Sequence, residues 1–364
     1  MPSTIRLSVR AFTIAAVLMM LAAVFMVLTA SVPADSESLE TLLAYLKSPN
    51  VSTRRDAARE LGERRVRNQL AIEALATTVA KDNNRDVRQE AVNSLGLIKD
   101  FSALPEMLDA LKDLESDVRG VAARALVALY TEHDIEFITN RRSGWNLFNP
   151  LLDTSDHEII EPYIMVDPKI VTALGEAARD DRDRDVRISA IRALGVLRGS
   201  GAIPQLADAL TADQDVRIEV LRAFIKIGDP SAGPHLVPFF TDSDHKVRTQ
   251  AMVAAGLLKY RPAVEPLMAA YRLGPEKKGS MKLVTDKVKG RFTYLPPRDE
   301  AALWALSLLG DDRAEQIFAE NITSTDGDRR QQATEGLARL AKSQYLDQIS
   351  QLIVKEKNGD VRLA

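Results

Sequence analysis

Residues 185–187 read Asp-Val-Arg, and the same triplet occurs at four other places in this chain of 364 residues. The other four copies begin at Asp86, Asp117, Asp215 and Asp360. Together with weaker copies, the arginines recur mostly at steps of about 31 residues. Self-similarity with a period of roughly 20 to 50 residues is typical of repeat proteins, in which each unit packs against its neighbours. The triplet therefore predicts an elongated array of repeats.

The residues around each triplet predict two short helices per repeat. Downstream of one triplet, Val118, Ala122 and Leu126 follow the spacing of a single helix face. Upstream, a proline stands near the start of an apolar run, and proline is tolerated in the first turn of a helix. These prolines are Pro105, Pro204, Pro234 and Pro266. Residues 234–240 are accordingly one of the predicted first helices.

The aspartate and the arginine of each triplet are interpreted as structural residues. The aspartate is predicted to be the N-cap, because its carboxylate accepts backbone N–H groups and favours the positive end of the helix dipole. The arginine is predicted to pair with the aspartate of a neighbouring repeat, giving a ladder of exposed ion pairs of roughly 0.2–1 kcal/mol each. The residues assigned to caps and ladder are Asp86, Arg88, Asp117, Arg119, Asp185, Arg187, Asp215, Arg217, Arg248, Asp360 and Arg362.

A glycine follows the arginine register by eight residues in five of the repeats. A glycine inside a helix costs about 1 kcal/mol relative to alanine, so its recurrence predicts close backbone approach between adjacent helices. The five glycines are Gly62, Gly96, Gly195, Gly256 and Gly310.

Residues 185–187, followed by Ala190 and Leu194-Gly195, resemble the HEAT repeat in the short bacterial form named after phycobilin lyases. The resemblance covers about residues 37–364, apart from two insertions. It implies an all-α, right-handed α-solenoid of helical hairpins that serves as a scaffold for unrelated partners. At Ala302 the triplet is lost, so the ladder is predicted to be interrupted there.

The first 34 residues predict a signal peptide or signal anchor, followed by a solenoid over residues 35–364. Arg6 and Arg10 precede an uncharged apolar run at residues 11–30, which predicts export of everything downstream. The length of the run favours a retained transmembrane helix, whereas residues 32–34 offer a cleavage site. The two alternatives are a solenoid anchored to the inner membrane outside the cytoplasm and a periplasmic or secreted one.

Two insertions, at about 131–167 and 274–298, interrupt the period. The first carries Trp145 and Phe148, which are either packed on the solenoid or available to a partner, and residues 158–166 are predicted to be a degenerate helix. The second has a local charge of +5 and is either a solvated loop or a contact for an anionic partner. Its candidate binding residues are Lys277, Lys278, Lys282, Lys287, Lys289 and Arg291.

The composition excludes several classes of function. A net charge of -3 gives no field for nucleic acid, and the absence of cysteine excludes thiol catalysis and disulfides. A diiron hydroxylase of the deoxyhypusine type needs several His-Glu pairs, and His157-Glu158 is the single pair in this sequence. No catalytic residue, metal or cofactor is therefore predicted.

These observations predict a non-catalytic scaffold of the bacterial cell envelope that binds other proteins on its concave face and insertions. Through the amino-terminal helix, if uncleaved, it would also contact the membrane. The alternative is a lyase or another enzyme of the HEAT-like family, using dispersed residues of the groove.

Overall fold

A computed structural model describes residues 37–131, 159–274 and 296–355. Over these ranges the chain forms pairs of α-helices that follow one another along the stack. The first helices of the pairs are α1 (Leu39–Tyr45), α3 (Gln69–Lys81), α5 (Leu104–Ala110), α7 (Pro168–Asp180), α9 (Ile203–Ala209), α12 (Val264–Arg272), α14 (Glu315–Asn321) and α16 (Leu346–Lys355). The second helices are α2 (Val51–Glu63), α4 (Arg85–Ile98), α6 (Ser116–Ala128), α8 (Arg184–Val196), α10 (Gln214–Ile227), α11 (His245–Leu257), α13 (Arg298–Leu309) and α15 (Gly327–Leu340). The all-α solenoid expected from the sequence is confirmed at this level.

The second helices begin one residue before the triplet, which corrects the predicted N-caps. In α4 the cap is Asn84, whose side chain accepts the N–H groups of Asp86 and Val87. Asp183 and Asp213 cap α8 and α10 in the same way. The triplet aspartate is thus the second helical residue, where it still faces the positive end of the dipole. The sequence is ambiguous here, because each of these helices has two candidate caps: the triplet aspartate and the residue two positions before it.

Six of the described first helices, α5, α7, α9, α12, α14 and α16, begin after a 3₁₀ turn or with proline, whereas α1 and α3 begin after the N-caps Ser38 and Asn68. Pro105 and Pro204 lie in the first turns of α5 and α9, as expected. Residues 234–240 do not form an α-helix, and the prediction for them is wrong. Two 3₁₀ segments, Pro230–His235 and Val237–Thr241, replace it. Pro230, Pro234 and Pro238 are four residues apart, and each lacks the N–H donor that an α-helix there would need.

Successive second helices pack side by side, and small residues allow the close approach. A Cβ added at Gly96 would lie 2.9 Å from the Cα of Ala125 on α6, and one at Gly256 would lie 2.9 Å from the Cα of Ala305 on α13. Both glycines therefore permit backbone contact, as predicted. Gly310 differs, because it ends α13 in the left-handed region at φ 57° rather than lying inside the helix.

One hydrophobic core runs along the whole stack. Its members extend from Leu42 on α1 to Leu337 on α15, and the bulkiest fully buried side chains include Phe224, Phe240 and Phe318. Each repeat thus adds a layer to a continuous core, which is why repeats of this kind are stable only in an array.

Residues 159–166 form an irregular strap against the stack rather than the predicted degenerate helix. The N–H of Ile160 donates to the carbonyl of Val196 at 3.0 Å, and Ile160 is buried. A turn follows, in which the N–H of Ile164 donates to the carbonyl of Glu161 at 3.0 Å. Ile164 and Val166 pack on the core, whereas Tyr163 and Met165 are exposed, and the strap leads into α7.

Candidate functional site

A buried ion pair joins each of the first repeats to the next. Arg88 on α4 donates from Nε and Nη2 to the two carboxylate oxygens of Asp113, at 2.7 and 2.8 Å. Its Nη1 donates to the carbonyl of Asp82 in its own loop at 2.9 Å. Arg54 binds Asp82, and Arg119 binds Asp181, with the same bidentate geometry. We call this arrangement the Arg–Asp clasp.

The aspartate of the clasp also closes the turn between the two helices of its own repeat. One carboxylate oxygen of Asp113 accepts the N–H of Glu115 at 2.9 Å, and that of Asp181 accepts the N–H of Asp183 at 2.8 Å. Sequence reasoning missed these aspartates. The signal was present, because Asp82, Asp113 and Asp181 each stand six residues before the arginine of the register.

Burial sets the strength of the clasp. The exposed fractions of the Arg119 and Asp181 side chains are 12% and 6%, so these are not the exposed pairs expected from the sequence. Breaking a buried pair on one side costs several kcal/mol, whereas exposed pairs contribute at most about 1 kcal/mol.

The clasp lowers the pKa of the carboxyl groups of Asp82 and Asp113. Burial alone raises the pKa of Asp113, but hydrogen bonds from Arg88 and from the N–H of Glu115 outweigh it, so the pKa lies below its usual value. The pKa of Asp82 is lowered in the same way, with burial opposed by Arg54 and by the N–H of Asn84. Both carboxylates are charged throughout the neutral range.

The triplet aspartates form a second, exposed row. Asp117 lies 3.5 Å from Arg85 of the preceding repeat, and Asp215 binds Arg184 in the equivalent arrangement. The partner of the triplet aspartate is therefore the residue just before the preceding triplet, and not the triplet arginine. Asp86 and Asp185 are exposed at the starts of α4 and α8.

Toward the carboxyl end the clasp becomes looser. Arg187 lies 3.7 Å from Asp213, and Arg217 makes one hydrogen bond of 2.9 Å to Asp242. Arg248 donates to the carbonyl of Ser243 at 2.9 Å. At Ala302 the register arginine is absent, as the sequence shows, and an ion pair between Asp299 on α13 and Arg329 on α15 joins the two helices instead.

A buried charged cluster lies between α8 and α10. Glu219 is 7% exposed and accepts from Arg192 at 3.1 Å through both of its oxygens and from Arg222 at 2.9 Å. Burial opposes the charged form, but Arg192 and Arg222 outweigh it and lower the pKa of Glu219. The carboxylate is therefore ionised in a site with two guanidinium groups. We call these three residues the inner triad.

A cavity of about 660 Å³ lies at the carboxyl ends of α8 and α10, beneath the strap. Its apolar wall includes Ile164, Val166 and Val171, and its far side is formed by the turns after the two second helices. Arg198 and Asp229 contribute the charged side chains of its lining. We call it the loop-edge cavity.

Several predicted features lie outside the described residues. These are the apolar run at residues 11–30, the candidate binding residues Trp145, Phe148, Lys277, Lys278, Lys282, Lys287, Lys289 and Arg291, and the last triplet with Asp360 and Arg362. Among the residues that are described, no helix is long and apolar enough to cross a membrane, and no group of acidic and histidine side chains is arranged to hold a metal ion.

The stacked helical pairs define an α-solenoid. The family model for HEAT repeats matches residues 20–96, 39–127 and 171–256, which together make up more than half of the chain. This chain therefore belongs to the HEAT-repeat family, and its resemblance to the form named after phycobilin lyases is confirmed.

Two curated relatives come from Nostoc sp. (strain PCC 7120 / SAG 25.82 / UTEX 2576). Phycocyanobilin lyase subunit alpha is 23% identical over 272 residues, which cover 72% of this chain and 87% of that protein. The bilin biosynthesis protein PecE is 32% identical over 111 residues, covering 28% of this chain and 44% of that protein. Among solved structures, the complex of CpcE and CpcF of phycocyanin lyase from Nostoc sp. PCC7120 matches at 18% identity with a TM-score of 0.38, covering 85% of this chain and 96% of that chain.

These relatives overturn the predicted function. Both are named for bilin chemistry, so the prediction of a non-catalytic cell-envelope scaffold is wrong. The alternative, a lyase of this repeat family, agrees with them better. The amino-terminal run had suggested the cell envelope, whereas the repeats carry the relationship to the bilin proteins.

Proposed function

We propose that this chain is a lyase-type subunit that binds a bilin, an open-chain tetrapyrrole, and presents it to an acceptor protein. The observation that carries the proposal is the similarity to phycocyanobilin lyase subunit alpha, because it extends over 72% of this chain and 87% of the relative. A match of that extent involves the stack as a whole rather than one shared repeat.

The stack supplies what such a role requires. The clasps and the inner triad fix neighbouring second helices against one another, so a long ligand meets a preorganised surface. The sequence contains no cysteine, and the bilin is therefore held without a thioether bond to this chain. The thiol that would accept the bilin belongs to the acceptor protein.

The relative is named as a subunit, and we propose that this chain also acts with a protein partner. The predicted export signal is a separate matter. It stays a prediction, which cell fractionation and the mass of the mature amino terminus will test.

A transfer assay tests the proposal. The full chain, alone and with candidate partner subunits, is incubated with phycocyanobilin and apo-phycocyanin, and the proteins are separated under denaturing conditions. We expect chain-dependent, zinc-enhanced bilin fluorescence on the acceptor and none on this chain. Fluorescence on the acceptor at the rate seen without the chain, for every partner tested, would contradict the proposal.

A further inference from the structure

The loop-edge cavity has the size of a small-molecule site. Its volume of about 660 Å³ lies within the range of roughly 300–1,000 Å³ that such sites occupy. Ile164 and Val166 of the strap and Leu197 and Ile227 at the ends of α8 and α10 all belong to its lining. The strap and the two repeats therefore each contribute apolar side chains to the cavity.

Arg198 stands at a position that recurs along the stack. It follows α8 with φ 49°, and Lys99 and Lys259 follow α4 and α11 with φ 58° and 55°. Arg65 and Ala341 follow α2 and α15 in the same left-handed conformation, so the turn itself belongs to the repeat. Both lysines make a hydrogen bond to the next second helix or its end. Lys99 Nζ donates to the carbonyl of Thr131 at 2.6 Å, and Lys259 Nζ binds the carbonyl of Leu308.

Arg198 departs from this pattern. Within the described ranges no carbonyl or carboxylate accepts a hydrogen bond from its guanidinium, which lines the cavity instead. The nearby Gly228 leaves room for it, because a Cβ there would lie 3.1 Å from Nη2 of Arg198. Asp229, also on the lining, is engaged as an N-cap by the N–H of Ser231 at 2.8 Å. The lining thus combines apolar side chains with one partly buried guanidinium and one carboxylate that already accepts a backbone N–H.

We infer that the loop-edge cavity binds the tetrapyrrole of the proposed function and that Arg198 binds one of its propionate carboxylates. This inference rests on the proposed function for the identity of the ligand. The match is chemical. A bilin is a mainly apolar chain of rings with two carboxylates, and a guanidinium binds a carboxylate through paired, charge-assisted hydrogen bonds.

The test is a spectroscopic titration of the full chain with phycocyanobilin and with its dimethyl ester. The variant is Arg198→Gly, which removes the guanidinium and relieves the left-handed backbone. Lys99→Gly makes the same backbone change at the equivalent position of another repeat, away from the cavity. Thermal melting followed by circular dichroism shows that each variant is folded, and Arg198→Gly is expected to melt at or above the wild-type temperature.

We expect Arg198→Gly to bind phycocyanobilin at least about tenfold more weakly than wild type, and Lys99→Gly to bind it like wild type. The dimethyl ester should bind the wild type about tenfold more weakly than the acid and should not distinguish wild type from Arg198→Gly. Wild-type affinity in a folded Arg198→Gly variant would overturn the site while leaving the proposed function in place. Failure of the wild type to bind phycocyanobilin would overturn both.

Discussion

The two ends of the stack hold their repeats together by ion pairs that differ in position and geometry. From α2 to α8, each junction has a bidentate Arg–Asp clasp with a largely buried pair. From α8 onward the clasp weakens to 3.7 Å at Arg187 and to one hydrogen bond at Arg217, and other ion pairs take its place. The inner triad joins α8 to α10, and Asp299 with Arg329 joins α13 to α15.

The difference shows that the positions of the charged links change along the stack. Among the described residues, ion pairs join neighbouring repeats at the α2–α4, α4–α6, α6–α8, α8–α10, α10–α11 and α13–α15 junctions. At the α8–α10 junction the cause is visible in the sequence, because Thr211 stands six residues before Arg217, where the earlier repeats have the clasp aspartate. The same kind of link is thus supplied from different positions.

The largest effect should follow from breaking the inner triad. Glu219→Ala leaves the guanidinium groups of Arg192 and Arg222 close together in a buried site, and we expect the free energy of unfolding to fall by about 3–5 kcal/mol. Urea unfolding measures it, with Asp86→Ala on the exposed start of α4 as the control. A loss below about 1 kcal/mol would mean that the triad does not hold α8 to α10.

Removing the clasp aspartate should destabilise the chain more in the tightly clasped region than in the loosely clasped one. Asp113→Ala removes two charge-assisted hydrogen bonds from Arg88 and should cost about 2–3 kcal/mol. Asp242→Ala removes one from Arg217 and should cost about 1–1.5 kcal/mol. The urea midpoints of the two variants are compared, provided that their unfolding free energies depend on urea concentration with the same slope. Equal losses would contradict the distinction between tight and loose clasps.

The close contact between α4 and α6 at Gly96 provides a third test, in the tightly clasped region. Gly96→Ala places a Cβ 2.9 Å from the Cα of Ala125, so the helices must separate, at a cost of about 1–3 kcal/mol. Gly120→Ala on α6 meets no heavy atom within 4 Å and should stabilise by about 0.5–1 kcal/mol through helix propensity. Thermal melts of the pair should move in opposite directions.

The loose clasp at Arg187 should be repairable. Thr211→Asp restores the aspartate of the register, and we expect a gain of about 0.5–1.5 kcal/mol. Thr211→Asn, which has the same shape without the charge, serves as the comparison. If Asp and Asn variants unfold at the same urea concentration, the register does not determine the partner of Arg187.

The smallest expected effect is a difference in acid sensitivity. The pKa of Asp113 is lowered in the folded chain, so its contribution to stability is complete above the unfolded pKa and is lost as the pH falls through the folded pKa. Below about pH 5, wild type should lose stability with decreasing pH more steeply than Asp113→Asn. Parallel pH profiles of the two proteins would show that Asp113 is not the group being protonated.

The sequence predicted most of the fold, because its signals are local. The period, the face formed by Val118, Ala122 and Leu126, and the glycines such as Gly96 all led to helices and contacts that the structure has. The 3₁₀ segments at residues 230–241 were missed, because a proline near the start of an apolar run was taken as the first turn of a helix. Here further prolines follow, and they remove N–H groups that an α-helix would need.

The candidate site was harder to predict, since its residues are brought together by stacking. Arg192 and Glu219 are 27 residues apart, and nothing within either repeat marks them as partners. The clasp aspartates could have been recognised, because each stands six residues before a register arginine. The triplet aspartates were assigned to the ion pairs instead, because they stand closer to the arginine in the sequence. The loop-edge cavity combines the strap with two successive repeats, and the strap interrupts the period.

The proposed role is tested most directly by whether the chain carries a bilin when one is available. The full chain is co-expressed with phycocyanobilin synthesis in a bacterial host, purified without denaturation, and examined by absorbance before and after acid-urea denaturation. We predict a bilin that co-purifies with wild type, is released on denaturation, and is strongly reduced in Arg198→Gly. A folded wild-type chain that purifies without bilin would contradict the account.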